Sequence, residues 1–296
     1  MQINAKNLTQ ELGGIWYGTY GVASCPLCQP ERRKGQNALT LADGDAKLLL
    51  HCKRMHCGFR DVLAAAGVNG GDYRPPDPEI AARRETERLA NATKRAVQAE
   101  RCWKEAQPIV GTIAETYLRK ARGISCCLPT SLRFHPECWH GATASKHPAL
   151  VALVEGGDGF AVHRTYLSAD GGGKARLTPS KAMLGAVSGG AVTLSKAAPR
   201  LVVGEGIEST LSLLCGFLEG SATVWAALST SGLRGLRLPT APGRLTIAQD
   251  GDAAGREGAH ALAQRAYVAG WRVGILDPGD GADFNDILST GKAVRV

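Results

Sequence analysis

Apolar runs and polar intervals alternate most regularly over the last hundred residues of the chain. LVVG, TVWAALS, RLTIAQD and RVGIL read as strands, separated by the amphipathic stretches ESTLSLLCGFLEG and AAGREGAHALAQRAYVAG, with a further short helix starting at Phe284. Continuous apolar strands between amphipathic helices predict a mostly parallel sheet covered on both faces. In such sheets ligands gather at the carboxyl ends of the strands.

Upstream the pattern changes. ALTLADGDAKLLLHC, from Ala38, alternates with period two and turns at Asp43 and Gly44, which predicts a tight hairpin. RDVLAAAG reads as a short helix closed by Gly67, and NGGDYRPPDP (69–78) as linker. Residues 79–107 hold helix formers with no Gly or Pro before Pro108, and a thin stripe of Leu89, Ala92, Ala96, Ala99 and Trp103. The stripe predicts a solvated connector helix, with a template-binding helix as the rival reading. Residues 111–200 mix one helix (GTIAETYLRKARG) with strands in HPALVALVEG, GFAVHRTYLSADG and GGAVTLS. The expected organisation is a small N-terminal domain (1–70), a linker and connector helix (71–110), a basic α+β section (111–200) and an α/β domain (201–296). No internal repeat or low-complexity tract is visible.

Composition narrows the class. Of 296 residues 44% are hydrophobic, a globular content. No apolar run approaches the roughly 20 residues of a membrane helix, and the N-terminus lacks a signal-peptide core. The expectation is a cytoplasmic protein without a membrane partner. Net charge is +8, unevenly placed: residues 1–75 carry 9 basic and 6 acidic side chains, 76–200 carry 18 and 11, and 201–296 carry 8 and 10. A basic middle attracts phosphates. Nine cysteines in a reducing compartment favour metal binding and buried thiols over disulfides.

Cys25 and Cys28 stand in CPLC, and Cys52 and Cys57 in HCKRMHC, one pair at each end of the hairpin. Two sulfurs from one tight turn and two from a distant knuckle complete a tetrahedron around a single structural zinc. The loose second pair leaves His51 and His56 as alternatives to one cysteine. Cys126, Cys127, His135, Cys138 and His140 have no repeated ligand spacing and read as core or surface residues, and Cys102 and Cys215 as packing residues within helices.

The acids of the last third form a second pattern. Glu205 follows one strand in VVGEGIES, before Gly206, which permits a tight turn. Asp250 and Asp252 follow another in IAQDGDAAGR, and Asp283 and Asp286 follow a third in LDPGDGADFNDIL. Carboxylates converging from neighbouring strand ends repel one another without a cation, and Mg²⁺ or Mn²⁺ takes a few carboxylates while keeping positions for substrate phosphate. Arg164, Lys174, Arg176 and Lys181 lie just upstream as candidate phosphate or nucleic-acid contacts. GGGKA at 171–175 lacks the spacing of a phosphate-binding loop, so a helicase motor is not expected.

EGIES, the DGD of IAQDGDAAG, and GADFND resemble the three acidic motifs of the Toprim domain. GTIAETYLRKARGI, HPALVALV, VHRTYL, KAMLGAVSGGAVTL and the N-terminal ribbon are similar to phage and plasmid primases of the bacterial type. The resemblance spans nearly the whole chain. It implies a zinc ribbon that contacts single-stranded DNA template, and a Toprim domain that joins ribonucleoside triphosphates into short RNA primers. Glu205 is then the acid/base residue, Asp250 and Asp252 are metal ligands essential to catalysis, Asp283 or Asp286 is the supporting acid, and Glu208 caps its helix or supports the site. It further implies a bacterial host cell, replication of a mobile element and a separate replicative helicase as partner. The rivals are a Toprim nuclease using the same acids, and a non-catalytic zinc-dependent DNA-binding module that loads a helicase.

Overall fold

The computed structural model describes residues 3–33, 35–44, 47–68, 78–197 and 200–290. The chain forms two compact units, Met1–Asn91 and Ala92–Val296. The expected linker lies, but for Pro78, outside the described residues. None of the described helices is long and apolar enough to cross a membrane.

The first unit opens with α1 (Ala5–Glu11), capped by the Asn4 side chain, which accepts from the Asn7 N–H. Four antiparallel strands follow in spatial order: β1 (Ile15–Trp16), β2 (Tyr20–Ala23), β3 (Leu39–Asp43) and β4 (Leu48–Cys52). The β3–β4 pair is the expected hairpin, closed by the Gly44 N–H to Lys47 carbonyl bond of 2.8 Å. Period-two alternation buries Leu39, Leu41, Leu48 and Cys52 with Leu8 of α1 and Leu12 just after it. Tyr20, Leu49 and His51 are exposed, as strand alternation requires for neighbours of buried positions. Gly21 lets α1 approach, since a Cβ there would lie 2.0 Å from Thr9 Oγ1. Then comes α2 (Phe59–Ala65), ended by Gly67 in the left-handed region at φ 72°.

Helix α3 (Pro78–Glu105) runs across the boundary between the units. The expected apolar stripe is only half realised. Leu89 and Ala92 are exposed, whereas Ala99, Cys102 and Ala106 pack in the second unit with Cys138, Ala149, Val151, Val162 and Tyr166. The first turns instead attach by charge: Arg84 reaches Asp43 at 3.3 Å and covers the Trp16 ring.

The second unit holds two five-stranded sheets. One is antiparallel, in order β5 (Gln107–Pro108), β6 (Leu132–His140), β7 (Ser145–Val154), β8 (Ala161–Tyr166) and β9 (Lys181–Gly185). α4 (Ile113–Thr116) lies between β5 and β6 and ends in a π-helical turn, Tyr117–Ala121, within the expected helix. β7 is buried on both faces, with Ala149 and Val151 toward α3 and Leu150, Ala152 and Val154 in the opposite core, which explains its unbroken apolar run.

The other sheet has the order β10, β12, β11, β13, β14, built from β10 (Val192–Ser195), β11 (Arg200–Gly204), β12 (Thr223–Ala226), β13 (Arg244–Ala248) and β14 (Arg272–Leu276). β10 is antiparallel to β12, and the other four strands are parallel. Helices cover both faces. Val202, Val224 and Ala248 pack with α5 (Ile207–Ser212) and α8 (Phe284–Thr290), while Leu201, Val203, Leu245 and Ile247 pack with α6 (Thr230–Gly235) and α7 (Ala253–Val268). The α5 face shares one apolar core with Leu132, Leu150 and Val154 of the antiparallel sheet.

Candidate active site and metal centre

The ligand atoms of Cys25, Cys28, Cys52 and Cys57 lie within 4.8 Å of one another, with Cys28 and Cys52 sulfurs 3.6 Å apart. Tetrahedral zinc with Zn–S near 2.3 Å needs sulfurs about 3.8 Å apart, so the donor set fits. Gln29 shapes the first knuckle by accepting from the Cys25 and Ala38 N–H groups. At the second, burial opposes ionisation of Cys52, but the N–H groups of Met55, Cys57 and Arg54 outweigh it and bring the thiol down to about 6. His51 and His56 are exposed and outside this quartet.

In the second unit three acidic motifs meet at adjacent strand ends. Glu205 follows β11, Asp250 and Asp252 follow β13, and Asp283 lies beyond β14. The turn after β11 depends on Gly204 rather than on Gly206. A Cβ at Gly204 would stand 2.3 Å from Thr210 Oγ1, whereas Gly206 is ordinary extended backbone. Asp252 caps α7 by accepting from Gly255 N–H at 2.6 Å. Thr230 of α6 donates to Glu205 Oε2 at 3.0 Å. Asp283 and Asp286 cap α8 reciprocally: Asp283 accepts from the Asp286 N–H, and Asp286 from the Asp283 N–H.

Burial, then the charges of Glu205, Asp283 and Asp252, push the Asp250 carboxyl up to about 7. Burial likewise raises Glu205, with Asp252 adding to it and Thr230 opposing. Asp250 Oδ1 is buried with no hydrogen-bond partner among the described residues. An all-oxygen donor set, an orphaned buried oxygen and mutual repulsion fit a hard divalent cation. The carboxylates stand further apart than the thiols: among the described residues, the cysteines are the only group of three or more His, Cys, Asp or Glu within 4.8 Å of each other.

The expected basic residues separate into three kinds. Lys174 and Lys181 both reach Glu208, at 3.4 and 3.1 Å, and Lys181 also acts on Glu205 and Asp250. Arg164 is buried, donates to the Trp139 carbonyl at 2.9 Å and lies against Tyr166. Strand alternation puts it with Val162 and Tyr166 on the α3 side of β8. Arg176 is exposed in the loop between β8 and β9. On the other side of β8, His163 is held neutral, lowered to about 4 by burial and then by Lys181.

Several residues escaped the sequence reading. The Tyr117 hydroxyl donates to Glu208 Oε1 at 2.8 Å, Arg122 donates to the Tyr117 oxygen at 3.0 Å, and Asn285 bonds the Arg122 carbonyl at 2.7 Å. Tyr117 and Arg122 stand in the GTIAETYLRKARGI stretch, but their partners lie far along the chain. Of the remaining cysteines, Cys102 and Cys138 are buried beside each other, Cys126 and Cys215 pack against the core, and Cys127 is exposed.

Residues 200–293 match the Toprim domain, and residues 93–194 match a domain of unknown function, DUF7146. No curated protein matches the chain. Among solved structures, the zinc-binding and RNA polymerase domains of Aquifex aeolicus primase align at 14% identity over 98% of this chain and 80% of that one, TM-score 0.41. A DNA primase domain from Pseudomonas aeruginosa aligns at 17% identity over 52% of each chain, TM-score 0.31. The primase fragment of the bacteriophage T7 primase-helicase protein aligns at 15% identity over 48% of this chain and 62% of that one, TM-score 0.31. The fold is thus a mixed α/β multidomain one, whose C-terminal domain is a Toprim domain with a mostly parallel sheet. Its N-terminal cysteine cluster fits a zinc ribbon.

Proposed function

We propose that this chain is a DNA-dependent primase, making short RNA primers on single-stranded DNA by metal-dependent nucleotidyl transfer. The observation that carries the reading is Asp250, a half-buried carboxylate with one buried, orphaned oxygen among Glu205, Asp252 and Asp283 at the strand ends of a Toprim domain. Glu205, Asp250 and Asp252 would hold the divalent cation, with Asp283 in support. When bound, the ion supplies positive charge to the reacting phosphate and acidifies the attacking hydroxyl. Glu205 Oε2, oriented by Thr230 and raised in proton affinity by burial, accepts the proton of the 3′-hydroxyl. Lys174 and Lys181 face the triphosphate and bind its phosphates.

The ribbon is assigned to the template. Register places Tyr20, Ala42 and Leu49 in one row of the sheet, and Val22, Thr40 and His51 in the next. Tyr17 stacks on Tyr20 at 5.3 Å between ring centroids, and both are exposed. Exposed aromatics on a sheet face are a platform for unstacked bases.

The test uses purified protein, single-stranded DNA, labelled ribonucleoside triphosphates and Mg²⁺ or Mn²⁺, with products resolved on a gel. The expected result is a ladder of short RNA that is absent with Asp250→Asn. Shortened DNA would assign the same acids to a nuclease, and DNA binding without either product would leave a non-catalytic module.

A further inference from the structure

Glu208 sits in the first turn of α5, three residues after Glu205, yet it takes no part in the acidic cluster. Its side chain is 7% exposed and its oxygens are already engaged: Oε1 by the Tyr117 hydroxyl and Lys174, Oε2 by Lys181. Burial opposes its ionisation, and Lys181 and Lys174 more than offset that, so the carboxyl stays charged, well below the ordinary carboxylate range. One anion thus gathers two ammonium groups and, through Tyr117, the Arg122 guanidinium. The cations outnumber the anion, and the lysine side chains keep 28% and 36% of their exposure. His163 beside them is neutral and does not compete for Glu208. A buried carboxylate shared by two lysines from the loop and strand start at 174 and 181 fixes side chains that are otherwise highly flexible.

We infer that Glu208 is a positioning residue, holding Lys174 and Lys181 as a preset cation pair for the phosphates of a nucleoside triphosphate. The naming of the triphosphate rests on the primase reading, whereas the positioning itself rests on the Glu208 contacts. Glu208 acts through the lysines, so its removal changes substrate affinity rather than cation binding or the chemical step.

The experiment measures ATP binding, Mn²⁺ binding and steady-state primer synthesis for the full chain. Glu208→Gln is expected to weaken ATP binding and raise the nucleotide KM roughly tenfold, with kcat changed no more than about threefold. Mn²⁺ binding is retained. Lys181→Met shows a comparable loss of ATP affinity, and the double variant is no weaker than the worse single one, because the two residues form one device. Should Glu208→Gln fold poorly, Glu208→Gln with Lys174→Met removes one charge of each sign and is expected to fold while still binding ATP weakly. ATP affinity within about twofold of wild type in Glu208→Gln, or in that charge-balanced variant, overturns the inference. So does additive loss in the double variant. Loss of Mn²⁺ binding with unchanged ATP affinity would make Glu208 a cation ligand and also overturn it. A wild-type chain that shows this binding pattern but extends no primer removes the primase reading and leaves the role of Glu208 standing.

Discussion

Gly251 donates its N–H to the Ala282 carbonyl at 2.8 Å, and Gly281 donates back to the Gly251 carbonyl at 2.9 Å. The loop carrying Asp250 and Asp252 is therefore laced to the one that leads to Asp283. A Cβ at position 251 would stand 1.9 Å from the Gly279 carbonyl oxygen, so no other residue allows this approach. Gly251→Ala is expected to cost roughly 1–3 kcal/mol of stability and to weaken Mn²⁺ binding, read by thermal melting and metal titration. An unchanged melting temperature with normal Mn²⁺ affinity would show that the lacing does not set the acids.

Asp250 makes the metal-free protein sensitive to pH. Its folded carboxyl is raised to about 7 from an ordinary 3.8, so the folded state holds that proton more tightly than the unfolded one. This contribution is full below the ordinary value and is lost as pH rises through about 7. Without divalent cation, Asp250→Asn should melt a few degrees above wild type near pH 8, by roughly the 2–4 °C that 1 kcal/mol yields in a unit of about 200 residues. The gap should close near pH 4, and added Mg²⁺ should narrow it at pH 8. A variant less stable than wild type at pH 8 contradicts the crowding of charge at this site.

Glu205→Gln and Asp252→Asn should lose nearly all primer synthesis while retaining the fold, because each removes charge where cation and transition state require it. Gel assays beside circular dichroism are sufficient. Near-normal synthesis by either variant would exclude that residue from the chemistry.

One zinc per chain is expected by elemental analysis, lost in Cys52→Ala and retained in His56→Ala. The small first unit depends on the metal for stability. Chelation should therefore unfold it first, seen as early proteolysis before residue 78, while the second unit survives. Zinc loss in His56→Ala would transfer a ligand position to that histidine.

A chain shortened to begin at Pro78 keeps α3 and all of the second unit. It is expected to bind Mn²⁺ and retain salt-sensitive, sequence-indifferent DNA affinity, but to prime poorly and lose template preference. Comparing it with the full chain on templates of varied short sequence decides the matter. Equal rates and preferences would reduce the ribbon to a structural cap.

What could be read in advance follows from range of interaction. The parallel strands and α7 were legible because each is a local apolar or amphipathic pattern, and the acids were legible because they follow those patterns directly. β6 is not legible in the sequence: its segment LRFHPECWH contains Pro136, and its pairing with β7 shifts register between His135 and Cys138. α1 and α6 each bury a single large apolar side chain, Leu8 and Leu233, so no amphipathic pattern marks them in the sequence. The stripe on α3 was half misleading because periodicity marks a face without saying whether a partner meets it. Glu208 was seen as a helix cap or support, but its partners at 117, 174 and 181 come from distant sequence, where no local spacing points. Gly206 drew attention in place of Gly204, since the close approach of Thr210 exists only after α5 packs.

β10 ends at Ser195, ahead of the segment 200–293 that matches the Toprim domain, yet it forms the antiparallel border of that domain's sheet. Excision at the family boundary would therefore strip the border from β12 and bare a row of unpaired amides, a template for self-association. The Toprim module is accordingly larger than its recognisable sequence. A transplant or a crystallisation fragment that starts before Ala191 carries its own edge, and one that starts at Arg200 must borrow an edge from another molecule.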